Sequence, residues 1–250
     1  MAFHMTTSET ELLKNSIPII AEIVDEGVFN VDKTGITLLC PDRTMVAVVD
    51  FKLLSSAFEE YKVESNESLG VNMANFVSIL KRVKGDEKLT FRSAAGKKLE
   101  IIVEGSSGKR KFEIPLIDVS MEKPPVEQLS FSSRIDINSS VLEDGIADAD
   151  VVSDSVVFES KDSVFRMHAK GDISSAELEL KKGDSGLIDM EAKGASRARY
   201  PLEYLKKMVK AAKFAGQASL ESGTDYPMRL TFRIIDKLSL SFILAPRVED

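Results

Sequence analysis

The chain has 250 residues, with 33 lysines and arginines against 40 aspartates and glutamates, a formal net charge of −7 and 43% hydrophobic residues. This balance describes a folded chain able to bury a full core, as one large domain or two of ordinary size. Its longest apolar runs fall far below the roughly 18 residues of a membrane span. The N-terminus lacks the basic-then-apolar order of a signal peptide, and the single cysteine, Cys40, excludes an internal disulfide or a cysteine metal cluster. Together these features point to a cytoplasmic location. An acidic chain attracts nucleic acid only where its basic residues are segregated.

In chain order, Leu12, Leu13, Ile19, Ile20 and Ile23 form a first apolar helical stripe. Pro18 sits inside it, where it should kink or shorten the helix. Short strands follow over 28–31, 36–39 and 46–53. Between Asn72 and Lys88, Met73, Phe76, Ile79, Leu80 and Val83 share one helical face behind Asn72 as N-cap. That helix carries Lys81, Arg82 and Lys84 at its end, an isolated basic cluster. Three strands close this half. "KRKFEIPL" (109–116) is the last of them and reads as a basic edge strand. Pro124-Pro125 marks an exposed, extended connector.

The second half repeats the order. A helix built on Leu142, Ile146 and Ala149 precedes strands at 156–159, 164–169 and 176–180, and "SSAELELK" (174–181) reads as an acidic edge strand carrying Glu177 and Glu179. Then Leu202, Leu205, Met208, Val209 and Ala212 recreate the second stripe, with Lys206, Lys207, Lys210 and Lys213 filling the other faces. Phe76 and Leu205, Ile79 and Met208, and Lys81 and Lys210 are each 129 residues apart, and Ile114 falls 129 before Ile243. "IVDEGVF" (23–29) falls 128 before "VVSDSVV" (151–157). The chain is two copies of one unit, an α+β fold of antiparallel sheet with few helices. The expected domains are 1–118 and 131–250, joined by a connector over 119–130.

Catalytic chemistry is not visible. His4 and His168 stand at no ligand spacing, and Glu59-Glu60 and Asp148/Asp150 have no partner base or metal cluster. "GSSGKRK" (105–111) lacks both the spacing and the following helix of a phosphate loop. Neither an enzyme nor a cofactor is expected.

The duplicated half, "LGVNM…ILKR", "PLIDV", "VSDSV" and the terminal "FILAPRVED" resemble an archaeal sliding clamp of the proliferating cell nuclear antigen family, over essentially the whole chain. The resemblance implies a head-to-tail homotrimer of six similar domains, with four helices per chain lining the hole and sheets outside. Duplex DNA would pass through that hole without sequence readout. DNA polymerase, flap endonuclease and DNA ligase would be held through short client peptides, and a clamp loader would open the ring. The alternative is a subunit of a heterotrimeric or specialised repair clamp.

DNA contacts carry over to Lys14, Lys81, Arg82, Lys84, Lys206, Lys207, Lys210 and Lys213. The client pocket carries over to Pro41, Met45, Val46, Met121, Tyr226, Pro227, Ile243, Ala245 and Pro246, with a free C-terminal tail to pair alongside. The subunit interface is expected to use Lys109, Arg110 and Lys111 with Arg82 and Lys84 on one side. Glu177 and Glu179 stand on the other, with Asp144 and Asp148 of the acidic third helix. Acids in that helix's first turn would otherwise meet the helix dipole.

Overall fold

The computed structural model describes residues 2–94, 97–120 and 122–248. In the first half the order is β1 (Phe3–Thr7), α1 (Thr10–Ala21), β2 (Glu26–Asp32), β3 (Gly35–Pro41), β4 (Ala47–Leu54), β5 (Glu60–Val63), β6 (Glu67–Asn72), α2 (Met73–Leu80), β7 (Lys88–Ala94), β8 (Lys98–Gly105) and β9 (Gly108–Pro115). The second half gives β10 (Ser133–Asn138), α3 (Ser139–Val152), β11 (Ser155–Lys161), β12 (Val164–Lys170), β13 (Ser175–Lys181), β14 (Leu187–Ala192), β15 (Ser196–Pro201), α4 (Leu202–Met208), β16 (Gln217–Ser222), β17 (Met228–Ile234) and β18 (Leu238–Leu244).

The chain divides into two compact units. One gathers residues up to Arg43, Val49–Pro124 and Ile234–Leu240; the other gathers Thr44–Val48, Pro125–Arg233 and the chain from Ser241 on. The first unit holds the strand order β5-β1-β7-β8-β9 and, separately, β4-β3-β2-β6. The second holds β14-β10-β16-β17-β18 and β13-β12-β11-β15. Taken strand for strand, these are the same two sheets. Strands β2, β3 and β6 start 129 residues before β11, β12 and β15, and α1 and α2 start 129 before α3 and α4.

Two sequence alignments therefore need correction. The 128-residue step of the early segment is 129 in the fold, because Glu26 and Ser155 open equivalent strands. Ile114 matches Leu244 rather than Ile243. The β8–β9 turn leaves two residues between Gly105 and Gly108, whereas the β17–β18 turn leaves three between Ile234 and Leu238, so one extra residue shifts everything after it.

Aromatic rings fix the first core. Phe29 meets Phe51 and Phe76 edge-on at 6.4 and 6.0 Å, and Phe76 meets Phe91 at 6.3 Å. In the second unit Phe158 packs between Phe165 and Tyr200 at 5.7 and 5.4 Å. The buried Tyr200 hydroxyl is satisfied by donating to the Tyr226 carbonyl at 2.8 Å. Edge-to-face rings gain beyond their buried area, which suits cores built largely of sheet.

Helix ends depart from expectation. Helix α1 runs through Pro18 and ends at Ala21. The proline removes one hydrogen bond near the last turn, while buried Ile17, Ile19 and Ile20 on either side hold the segment in place. Helix α2 stops at Leu80, so Lys81 is its C-cap and Arg82 and Lys84 lie in the turn beyond. The turn tightens because Arg82 N and Val83 N donate to carbonyls three residues back. Helix α4 likewise ends at Met208, and Val209–Lys213 continue as a 3-10 turn.

Asn72 does cap α2, accepting from Asn75 N at 3.1 Å. Asn72→Ala should lower unfolding stability by about 1 kcal/mol in urea titrations.

Glu87 closes the loop after α2. It accepts from Lys84 N at 2.8 Å and from Arg110 Nη2 at 2.6 and 2.7 Å, while Arg110 Nη1 donates to the Arg82 carbonyl. The Lys84 amide, then the Arg110 guanidinium, hold its carboxyl below the usual carboxylate range. A depressed folded pKa adds stability above the unfolded value, near 4.3, and that stability is lost as pH falls through the folded value. Glu87→Gln should therefore melt lower than the parent at pH 7, and thermal scans down to about pH 2.5 should bring the two together.

Candidate nucleic-acid and peptide-binding surfaces

Apart from Lys14, in the first half of α1, the basic residues singled out by sequence fall at or just past helix C-terminal ends, where cations meet the negative end of the helix dipole. Lys81 caps α2, and its repeat partner Lys210 lies in the 3-10 turn after α4 with Lys213. Lys81, Arg82, Lys84, Lys206 and Lys213 are exposed; Lys207 and Lys210 are half-buried. Lys14 pairs with Glu11 at 2.5 Å one turn earlier in α1, and Lys206 pairs with Asp150 of α3 at 2.9 Å. Lys207 lies 5.3 Å over the Tyr204 ring.

The acidic third helix shows a division of labour. Asp150 neutralises Lys206, whereas Glu143, Asp144 and Asp148 make no ion pair among the described residues. Helix α3 begins at Ser139, capped by Asn138 accepting from Ser140 N, and its first turn holds no acid. The helix-dipole explanation for these acids therefore falls.

A second surface forms in the second unit, around the end of β18. A cleft of about 630 Å³ is lined by Val46, Tyr204, Ala245 and Pro246, with Asp154 and Arg247 at its side. Three of the predicted pocket residues, Val46, Ala245 and Pro246, are brought together here. Met45 stands 65% exposed at the tip of the same loop, with a positive φ of 59°. Ile243 is buried in β18. Tyr226 and Pro227 are half-buried outside this cleft, where Tyr226 packs edge-on against Phe131 at 6.0 Å. Pro41 ends β3 in the other unit, and Met121 lies outside the described residues.

As far as Arg247 the tail is held in place. Ala245 N donates to the Val46 carbonyl at 2.9 Å, Arg247 N donates to the Arg199 carbonyl at 2.7 Å, and the Arg247 guanidinium pairs with Asp154 at 2.6 Å. The reason is duplication. In the first unit Ile117 N bonds the Gly70 carbonyl in the same way, so the tail crosses β15 as the start of the connector crosses β6. Tyr204, Asp154 and Arg247 were missed by sequence reading: Tyr204 stands among lysines, and the Asp154–Arg247 pair spans 93 residues.

The far end of the connector is held within the second unit. Arg229 Nη2 donates to the Val126 carbonyl at 3.0 Å, and its guanidinium lies 5.0 Å over the Phe131 ring. Val126 is buried there, so this part of the connector is less exposed than its prolines suggest.

Both predicted edge strands are sheet edges, β9 in the first unit and β13 in the second. Their charges are partly satisfied at home. Lys109 pairs with Glu104 at 3.5 Å, Lys111 with Glu100 and Glu113, and Arg110 with Glu87. Glu179 takes Arg166 and Lys181, both at 2.6 Å, while Glu177 has no ion pair among the described residues. Arg110 braces the loop after α2 through the buried Glu87.

Among the described residues no helix is long and apolar enough to cross a membrane, and no group of three His, Cys, Asp or Glu side chains could hold a metal.

The family profile of the proliferating cell nuclear antigen N-terminal domain matches residues 2–123, and that of the C-terminal domain matches residues 125–247. The chain is 35% identical to the DNA polymerase sliding clamp of Thermococcus gammatolerans and 33% identical to that of Pyrococcus furiosus, each over 100% of both proteins. Its structure is similar to the crystal structure of PCNA from Thermococcus kodakaraensis, with a TM-score of 0.91 at 26% identity over 98% of this chain and 100% of that one. Both halves, their order and their shared topology are accounted for: the chain belongs to the proliferating cell nuclear antigen family.

Proposed function

We propose that this protein is a DNA sliding clamp, a non-catalytic processivity factor of DNA replication. It encircles duplex DNA and tethers the replicative polymerase. The observation that carries this reading is the match to DNA polymerase sliding clamps over the full length of both proteins. The functional halves are 1–118 and 131–250, with 119–130 as connector. Three chains close head to tail, β9 of one beside β13 of the next, which hides two strand edges that would otherwise invite aggregation.

Positive charge at Lys81, Arg82 and Lys84 after α2 of the first unit, at Lys207, Lys210 and Lys213 at the end of α4 of the second, and at Lys14 on α1 attracts phosphate without reading bases. The acidic remainder of the surface repels it. Lys206 contributes less, because Asp150 holds it. The cleft beside Val46, Ala245 and Pro246 receives the apolar and aromatic plug of a client peptide. Polymerase, flap endonuclease and DNA ligase are the clients, a clamp loader opens the ring, and the protein works in the cytoplasm at the nucleoid.

Light scattering of the pure chain at neutral pH tests the assembly. A mass three times that of the 27.5 kDa chain supports the reading. A persistent monomer would point instead to a subunit that needs other chains to close its ring.

A further inference from the structure

The two units differ at one place in a way that duplication alone does not predict. In the first unit Ser68 and Gly70 share a face of β6, and the chain crosses beside them, with Ile117 N bonded to the Gly70 carbonyl at 2.9 Å. A side chain at Gly70 has no room, since a Cβ there would collide with the Ile117 carbonyl and lie 3.3 Å from Val119. Counting 129 along β15, and 130 past the longer β17–β18 turn, the equivalents of Ser68, Gly70 and Ile117 are Arg197, Arg199 and Arg247. Three uncharged positions have become arginines.

These arginines line a cleft of about 430 Å³ in the second unit, together with Val157, Asp225 and Pro246. Arg197 and Arg199 leave β15 on the same side, because the alternating Ser196, Ala198 and Tyr200 are buried. The tail brings the third: Arg247 N donates to the Arg199 carbonyl at 2.7 Å, while Asp225 N donates to the Arg197 carbonyl at 3.0 Å.

Positive charge is in excess here. Arg197 is exposed and makes no ion pair among the described residues, although Glu159 lies opposite it on β11. Arg247 gives Nη1 to Asp154 at 2.6 Å, which leaves the rest of a five-donor fork. Half-buried Arg199 is oriented by its bond to Ser155 Oγ at 3.3 Å. His168 lies across Val157 from Arg199 and stands in the same field. Burial first, then Arg197 and Arg199 against the opposing pull of Glu159 and Glu177, hold its pKa below the ordinary imidazole value.

We propose that this cleft is a carboxylate subsite, which takes a short acidic stretch flanking the apolar plug of a client peptide. The inference rests on the client cleft described above, with which it shares Pro246 and Arg247, so one extended peptide reaches both. Guanidinium forks bond carboxylates in pairs, more strongly than neutral donors do. Duplex DNA is the competing polyanion. It presents a long array of phosphates that Asp225 and Asp154 would repel, whereas single carboxylates fit among the arginines.

Calorimetric titration of the full chain with four synthetic peptides tests this. One apolar-aromatic plug carries three glutamates before it or after it, and each peptide has a twin with glutamines instead. At low salt one glutamate peptide should bind about tenfold more tightly than its twin, and the ratio should approach one in about 0.5 M salt. Arg197→Glu should bring that ratio to one or below, and a lysine-flanked peptide should bind this variant more tightly than the parent. The ratio divides out any effect of the substitution on the plug or the fold.

Glutamate and glutamine peptides that bind alike overturn the subsite and leave the plug cleft standing. Failure of every peptide to bind overturns the plug cleft and the subsite with it. Two further results contradict the occupant. Tighter binding of the glutamate peptide alone after deletion of Glu249 and Asp250 would make the chain's own terminus the ligand. Weaker duplex binding by Arg197→Glu in fluorescence anisotropy, with the peptide ratio unchanged, would assign the arginines to DNA.

Discussion

Replacing Lys81, Lys210 and Lys213 by glutamate should lower the affinity of the assembled protein for duplex DNA by at least about 100-fold at low salt. On the proposed three-chain ring, nine reversed charges would replace attraction by repulsion along the path of the duplex. The slope of log affinity against log salt should flatten by roughly 2–4, on the order of one for each phosphate no longer neutralised. Fluorescence anisotropy on a short duplex across a salt series measures both. Lys206→Met is the internal comparison. Its ammonium is held by Asp150 at 2.9 Å, so its removal should change the salt slope far less than the removal of Lys81. All four residues lie outside the cores, and melting temperatures should stay close to the parent value. An unchanged slope in the triple variant would remove these lysines from the DNA path.

Val46→Glu should weaken client-peptide binding by at least about tenfold, the effect of removing one central apolar side chain from an interface. Val46 is half-buried on the wall of the 630 Å³ cleft, where its backbone carbonyl also receives the Ala245 amide. A carboxylate there must shed water to let an apolar plug in, and among the described residues no cation other than Lys206 or Arg247 lines the cleft to meet it. Both of those are engaged with Asp150 and Asp154. Titration calorimetry with a synthetic peptide ending in an aromatic plug should report the weakening while light scattering still reports the same oligomer. Tight binding by the variant would move the client site away from the tail.

Much of this arrangement is legible in the amino-acid sequence, for definite reasons. Duplication is visible because core positions must keep their period: Phe76 and Leu205, or Leu99 and Met228, occupy the same place in equivalent elements. The edges are visible because Lys109, Lys111 and Glu113 alternate with Arg110, Phe112 and Ile114, as a strand with one open side requires. What escaped has a common physical origin in turns and long-range pairing. One extra residue in the β17–β18 turn breaks the 129-residue step, and no hydrophobic period reports a turn length. Helix α2 stops at Leu80 although its apolar spacing continues to Val83, because a tightened turn keeps Val83 buried after the helix has ended. The tail looks free in sequence because its anchors, Arg199 and Asp154, are distant along the chain. The Glu87–Arg110 pair is not legible in sequence because Glu87 is charged and reads as surface, yet it is 3% exposed.

Sheet edges and helix-end lysines are each ordinary features. Their joint consequence is topological: the protein should stay on DNA by surrounding it. The most direct measurement loads the protein with a clamp loader and ATP onto nicked circular plasmid, removes free protein by gel filtration, and cuts half of the sample at one site. Retention for many minutes on the circle, with rapid loss after linearisation at the same salt, is the predicted result. Equal loss from both forms, or retention that survives cutting, would contradict encirclement.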